Sequence, residues 1–234
     1  MELYTAKLEQ NIDPEVISRL LKVIPPEKSL RIRSLFGDRD RRRSLLADLV
    51  ARHAIAEKLN LNFNDVKVSA GSRGKPHSIP QVHFNVSHSE DYIGCVLSDL
   101  SHVGVDIEKV RRLNDAVILS ICPKVEVDLI NKNSSHKYCS FFRLWTAKES
   151  YAKYENIPMD ECCSRLVTKA SSVDGMLKKY EQKAGCFFHQ TTRILPGYVV
   201  SICTRERENI KIHEVYSESQ MHNLAFKNIW RKYQ

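Results

Sequence analysis

Gly104-Val105-Asp106-Ile107-Glu108 reads as a β-strand with two unlike faces. Successive side chains in a strand alternate sides, so Asp106 and Glu108 project together while Val105 and Ile107 point into a core. Carboxylates held that close repel each other. A hard divalent cation with oxygen ligands, Mg²⁺ for a phosphate substrate, relieves the repulsion; an exposed face of an edge strand is the other reading. Outward from this pentapeptide the pattern stays β-rich on the N-terminal side. Val82 and Phe84, Ile93 through Leu97, and Val103 through Ile107 are short runs separated by polar breaks such as Ser87-His88-Ser89-Glu90-Asp91. Val66 and Val68 form an earlier short strand, followed by a loop, Gly71-Ser72-Arg73-Gly74-Lys75-Pro76.

Further upstream the period changes. Asp13, Pro14 and Glu15 are a helix start, with the aspartate as cap and the proline in the first turn. A second helix begins at Glu27-Lys28 after Pro25-Pro26, and its Leu30, Ile32, Leu35 and Phe36 are expected to bury one side. A third, from about Asp40 to Asn60, carries Leu45, Leu46, Leu49, Val50, Ile55 and Leu59 near the 3.6 period. Its first turn holds Arg41, Arg42 and Arg43, where cations oppose the helix dipole and call for an anion or full solvation.

On the C-terminal side a helix spans about Phe141 to Tyr154. Strands are expected near Leu166 to Thr168, Phe187 to His189, Tyr198 to Cys203 and Ile210 to Val215. Helices followed by antiparallel strands, twice over, predict an α+β fold in two halves, 1–102 and 103–234.

The chain has 234 residues, 42% hydrophobic and 27% charged, which is globular composition. No apolar run approaches the ~20 residues of a membrane span, and the start has no secretory character, so a cytoplasmic protein is expected. Seven cysteines with no C-x-x-C pair argue for reduced, structural thiols rather than a zinc site or a disulfide framework. The formal charge of +8 points to an anionic partner. A nucleic-acid-binding module is the reading from another class, motivated by Arg39 to Arg43. It lacks interleaved surface aromatics and any zinc, helix-turn-helix or ribonucleoprotein motif.

Glu149 and Lys153 are an i,i+4 pair on the Phe141 helix, either an ordinary surface ion pair or a third carboxylate for the cation with a lysine for phosphate. Phe84-Asn85-Val86-Ser87-His88-Ser89 places hydroxyls and an imidazole where a strand runs into a turn, a place that can hold an anion.

The succession Gly74-Lys75-Pro76, Phe84 to Ser89, Gly104 to Glu108 and Leu144-Trp145-Thr146-Ala147-Lys148-Glu149-Ser150 with Lys153 resembles the 4′-phosphopantetheinyl transferases of the surfactin-synthetase-activating type. The resemblance covers roughly residues 20 to 205, including Pro26-Glu27-Lys28, Arg43-Ser44-Leu45-Leu46 and Pro196-Gly197-Tyr198. It implies two similar α+β halves related by a pseudo-twofold axis, each with a small, mainly antiparallel sheet and a long helix, and coenzyme A between them. It also implies an enzyme that moves the phosphopantetheine arm of coenzyme A to a serine of an apo carrier protein and releases adenosine 3′,5′-bisphosphate.

By that match Asp106, Glu108 and Glu149 hold Mg²⁺. Glu149 is the general base, directly or through a metal-bound water, and Lys153 steadies the phosphates. Ser87 and His88 touch the coenzyme phosphates, Lys75 meets the adenine end, and Lys28, Arg31, Arg43 and Ser44 surround the 3′-phosphate. The implied partner is an acidic peptidyl or acyl carrier of peptide, polyketide or fatty-acid synthesis, the enzyme being expected to act as a monomer without nucleic acid or membrane. An inactive relative that only binds coenzyme A or a carrier is a further alternative, opposed by the intact Asp106, Glu108, Glu149 and Lys153. The chain departs from the pattern after the catalytic helix, where Tyr154-Glu155-Asn156-Ile157-Pro158-Met159 replaces a Gly-Lys-Gly-type turn.

Overall fold

A computed structural model describes residues 1–22, 24–71, 75–192, 194–207 and 209–230. The chain divides into two compact units, one made of Met1–Leu100 with Asn209–Gln234 and the other of Ser101–Glu208. Residues 209–230, assigned to the second half from sequence, therefore pack with the first.

The first unit opens with β1 (Glu2–Lys7), α1 (Pro14–Leu20), α2 (Pro26–Arg33) and the 22-residue α3 (Asp38–Leu59). It continues with β2 (Lys67–Ala70), β3 (Pro76–Ile79), β4 (His83–Ser89) and β5 (Tyr92–Ser98). Asp13 caps α1 as expected, its carboxylate accepting from Glu15 N–H, and Asn60 ends α3 in the left-handed conformation that a short polar side chain tolerates. Antiparallel pairing of β4 with β5 and of β5 with β1 builds a sheet, and its far edge is closed by β9 (Lys211–Ser217), which runs parallel to β1. The chain ends in α9 (Glu218–Trp230). Helix α3 lies across this sheet, and Leu45, Leu46, Leu49 and Ile55 meet Tyr4, Ile93, Leu97, Met221 and Ala225 in one core.

Two expectations fail here. On α2, Ile32 is buried, but Leu30 is 68% exposed and Phe36, beyond the helix end, is fully exposed. Eight residues give α2 only two turns, enough to seat one stripe one residue wide. The polar break expected from Ser87 shrinks to a turn at Glu90-Asp91, because Ser87, His88 and Ser89 belong to β4 and pair with β5. Ser72, Arg73 and Gly74, the middle of the expected glycine loop, lie outside the described residues.

The second unit begins with β6 (Val103–Lys109) and includes β7 (Phe187–Thr191) and β8 (Tyr198–Thr204), an antiparallel sheet ordered β6-β8-β7. Between β6 and β7 run α4 (Asp115–Ile121), α5 (Lys124–Lys132), α6 (Lys137–Glu155), α7 (Met159–Leu166) and α8 (Val173–Ala184). The strand expected at Leu166 to Thr168 is absent; Leu166 instead ends α7. Pro158 stands at its N-terminus, Asp160 and Glu161 favour its first turn, and Cys162 and Leu166, one turn apart, are both buried. At the end of α6, Asn156 takes the left-handed position that a glycine turn would otherwise fill. All seven cysteines are free thiols. Among the described residues no helix is long and apolar enough to cross a membrane.

Candidate active site

Strand alternation on β6 and the i,i+4 spacing on α6 bring Asp106, Glu108, Glu149 and Lys153 together within the second unit. Lys153 Nζ donates to Asp106 Oδ1 at 2.6 Å and lies 3.7 Å from Glu149 Oε2. Asp106 is buried, whereas Glu149, Lys153 and Glu108 are half-buried at the surface of the same patch. The approach of strand to helix depends on Gly104, where a Cβ would stand 2.0 Å from the Ser150 carbonyl oxygen and 2.6 Å from Tyr154 N. Backbone on backbone at that distance admits hydrogen only. Thr146 Oγ1 and Ser201 Oγ, 2.6 Å apart, tie α6 to β8 as well.

Burial pushes the Glu149 carboxyl up to about 7, helped by the negative charges of Asp106 and Glu108 and restrained by Lys153. Asp106, Glu108 and Glu149 bring hard carboxylate oxygen atoms together, which is the donor chemistry that suits Mg²⁺. Among the described residues, however, no three His, Cys, Asp or Glu side chains form a ready-made metal cage. Mg²⁺ commonly uses one or two carboxylates and completes its shell with water and substrate phosphate, so this donor set fits it without a closed cage.

The first unit gathers a second group. Lys28, Arg31 and Ser44 line a cavity of about 160 Å³ whose remaining wall includes Ile32, Val68, Pro76, Phe84 and Val86. Its buried anion, Asp48, is answered from both sides: Lys28 Nζ contacts Oδ1 and Arg52 Nε donates to Oδ2 at 2.7 Å. His88 continues the Phe84 and Val86 row on β4, since residues two apart share a face; Ser87 lies on the opposite, buried face. Lys75 stands just before β3, its carbonyl accepting from Gly71 N–H. Arg43 donates to Asp40 at 2.9 Å and is not in the cavity wall.

Much of the basic run of α3 is satisfied within the unit. Arg42 is bidentate to the buried Glu218 of α9, through Nε at 3.1 Å and Nη2 at 2.5 Å, and Arg39 meets Glu90 and Asp91. For Arg39 and Arg42 the compensating anions are protein carboxylates that arrive from residues 90, 91 and 218, whereas Arg43 takes Asp40 of its own helix.

Sequence reasoning passed over the side chain next to Glu149. Lys148 is fully buried and donates to Glu126 Oε2 of α5 at 2.5 Å, while Tyr180 of α8 donates to Oε1 at 2.6 Å. No local signal marks this trio.

Both units match known families. Residues 12–99 match the model described as "4′-phosphopantetheinyl transferase, N-terminal", and residues 102–203 match the "4′-phosphopantetheinyl transferase superfamily". The chain belongs to the 4′-phosphopantetheinyl transferase superfamily and is an enzyme of that class. It is 32% identical over 213 residues to the 4′-phosphopantetheinyl transferase ffp of Bacillus subtilis, covering 87% of this chain and 92% of the relative. The 4′-phosphopantetheinyl transferase Sfp of Bacillus subtilis strain 168 is 29% identical over 212 residues, with the same shares covered. A relative from Rattus norvegicus, the L-aminoadipate-semialdehyde dehydrogenase-phosphopantetheinyl transferase, is 28% identical over 149 residues, 57% of this chain and 48% of the relative.

Proposed function

We propose that the chain transfers the phosphopantetheine arm of coenzyme A to a serine hydroxyl of an apo carrier protein, releasing adenosine 3′,5′-bisphosphate, with Mg²⁺ as cofactor. The observation that carries this reading is the cluster on β6 and α6: Lys153 Nζ donates to Asp106 Oδ1 at 2.6 Å and lies 3.7 Å from Glu149 Oε2, with Glu108 beside them. In the proposed step the serine oxygen forms a bond to the phosphorus that bears pantetheine. The bond from that phosphorus to the bridging oxygen breaks, the adenosine bisphosphate leaves with the electron pair, and the serine proton passes to Glu149.

Asp106, Glu108 and Glu149 would hold Mg²⁺, which neutralises pyrophosphate charge when bound. Lys153, now on Asp106 and Glu149, is the ammonium nearest to this charge and is assigned to the phosphates. Phosphoryl transfer asks a protein chiefly for such positioning and charge compensation. Lys28, Arg31 and Ser44 are assigned to the 3′-phosphate, with Arg43 near them by its place beside Ser44 on α3, Lys75 to the adenine end and His88 to the remaining phosphates; Ser87, on the buried face of β4, is given no direct contact. The cavity pairing Lys28 and Arg31 with an apolar wall supports the first of these, because a nucleotide end offers a flat apolar base and an anion. An acidic carrier surface suits a chain of net charge +8.

Intact-mass spectrometry of an apo carrier incubated with the enzyme and coenzyme A tests the reading. The carrier gains one phosphopantetheine with Mg²⁺ and stays unmodified in EDTA. Equal modification in chelator would remove the metal from the proposal, and no modification in either arm with a range of carriers would overturn the transfer itself.

A further inference from the structure

The ion pair inside the second unit is an unusual thing to bury. Lys148 and Glu126 have side chains 2% and 0% exposed, and Tyr180 is fully enclosed beside them, its ring 6.0 Å from Lys148 Nζ. Every strong partner is internal: each carboxylate oxygen accepts one short hydrogen bond, and burial together with the Glu126 charge keeps the Tyr180 phenol protonated. Taking two charges out of water costs about as much as their attraction returns, so apolar residues of similar size would serve stability as well or better. Stability alone does not account for this trio.

Its placement does. Glu126 sits in the first turn of α5 and Tyr180 on α8, so Lys148 is fixed from two helices at once. Glu149 is the next residue of α6, about 100° further round the axis, and Lys153 is one turn beyond it. On the strand side, Gly104 meets the backbone of the same turns, at Ser150 and Tyr154. An α-helix held only by apolar contacts can rotate or slide by fractions of an ångström at small cost. One held by directional buried hydrogen bonds from two other helices favours a single rotation.

We propose that the Lys148–Glu126–Tyr180 network is a positioning device for the transfer reaction, setting the rotation of α6 so that Glu149 and Lys153 face Asp106. Lys148 and its partners touch no reacting atom; they act through Glu149. The inference rests on the assignment of Glu149 and Lys153 made above.

The test uses the full chain with both charges removed, Lys148→Met with Glu126→Gln, which leaves Tyr180 an amide oxygen to donate to. Transfer to an apo carrier is measured at saturating and limiting coenzyme A, alongside the thermal midpoint. The expected result is kcat lower by roughly 10- to 100-fold, the scale of a misplacement of about 1 Å. KM for coenzyme A rises by much less than kcat falls and the fold stays intact, since the Lys28, Arg31 and Ser44 cavity of the first unit is unaltered. A well-folded variant with wild-type kcat overturns the proposal, as does a loss of rate no larger than the loss of folded protein. Should the pair variant fail to fold, Tyr180→Phe, which deletes one hydroxyl, decides by the same split of kcat from KM, with a smaller fall expected. Glu149→Gln is assayed in parallel and should lose at least about 100-fold. Normal turnover in Glu149→Gln overturns the site assignment, whereas an inactive Glu149→Gln beside a fully active network variant overturns the positioning role alone.

Discussion

Gly104 shows how much one atom can control. A methyl group there would need the carbonyl of Ser150 to retreat by about an ångström or more and the amide of Tyr154 by roughly half as much, and both belong to hydrogen-bonded helix backbone. Gly104→Ala is expected to destabilise by about 3 kcal/mol or more, at or beyond the top of the usual range for overpacking. It should also lower turnover, because Asp106 is two residues along the same strand; urea unfolding and the transfer assay measure the two effects separately. At this scale the sequence was readable wherever chemistry follows local spacing. Asp106 with Glu108, and Glu149 with Lys153, are same-face pairs by the geometry of strand and helix alone, and Lys153 does meet Asp106. Lys148 was not readable. A lysine within a charged heptapeptide looks like surface, and its partner lies 22 residues away on another helix.

Among the elements, α3 depends on a contact from the far end of the chain. Its Arg42 guanidinium holds both oxygens of Glu218, a carboxylate with no exposed side-chain surface. Arg42→Leu would leave that charge buried without its main partner, and a loss of about 3–5 kcal/mol is expected. The double variant Arg42→Leu with Glu218→Leu should recover much of it, and denaturant midpoints of the three proteins decide. Elements with long periodic stripes, α3 and α6, were legible to within a few residues. Short ones were not. Two-turn helices such as α4, α5 and α7 carry too few residues to declare a period, and at Leu166 to Thr168 a β-branched pair outweighed the helix signals preceding it. Tertiary burial of Cys162 and Leu166 settled that competition, and no local pattern reports burial.

Over the whole chain, the register of β9 against β1 could not be read from sequence, since a parallel pairing across some two hundred residues has no local signature. It creates a titratable joint. His213 of β9 lies 2.8 Å from Glu2 of β1, and Lys58 of α3 reaches the same carboxylate at 3.1 Å. Burial alone would raise the Glu2 pKa, but these hydrogen bonds and the Lys58 charge outweigh it and hold it at about 2, against an ordinary 4.5. The folded value lies below the unfolded one. The stabilisation is therefore complete above about pH 4.5 and is lost as pH falls toward 2. Glu2→Gln should lower the urea midpoint at pH 7 and flatten its fall between pH 4.5 and 3, while an unchanged acid limb would remove Glu2 from the joint.

The same pairing reverses the order of assembly. Because Ser101–Glu208 is an insertion within the first unit, a ribosome delivers the whole of the second unit before it delivers the strand that closes the sheet containing β1. Strand β1 must wait with an open edge until β9 arrives, and of the two units the one begun earlier is completed later.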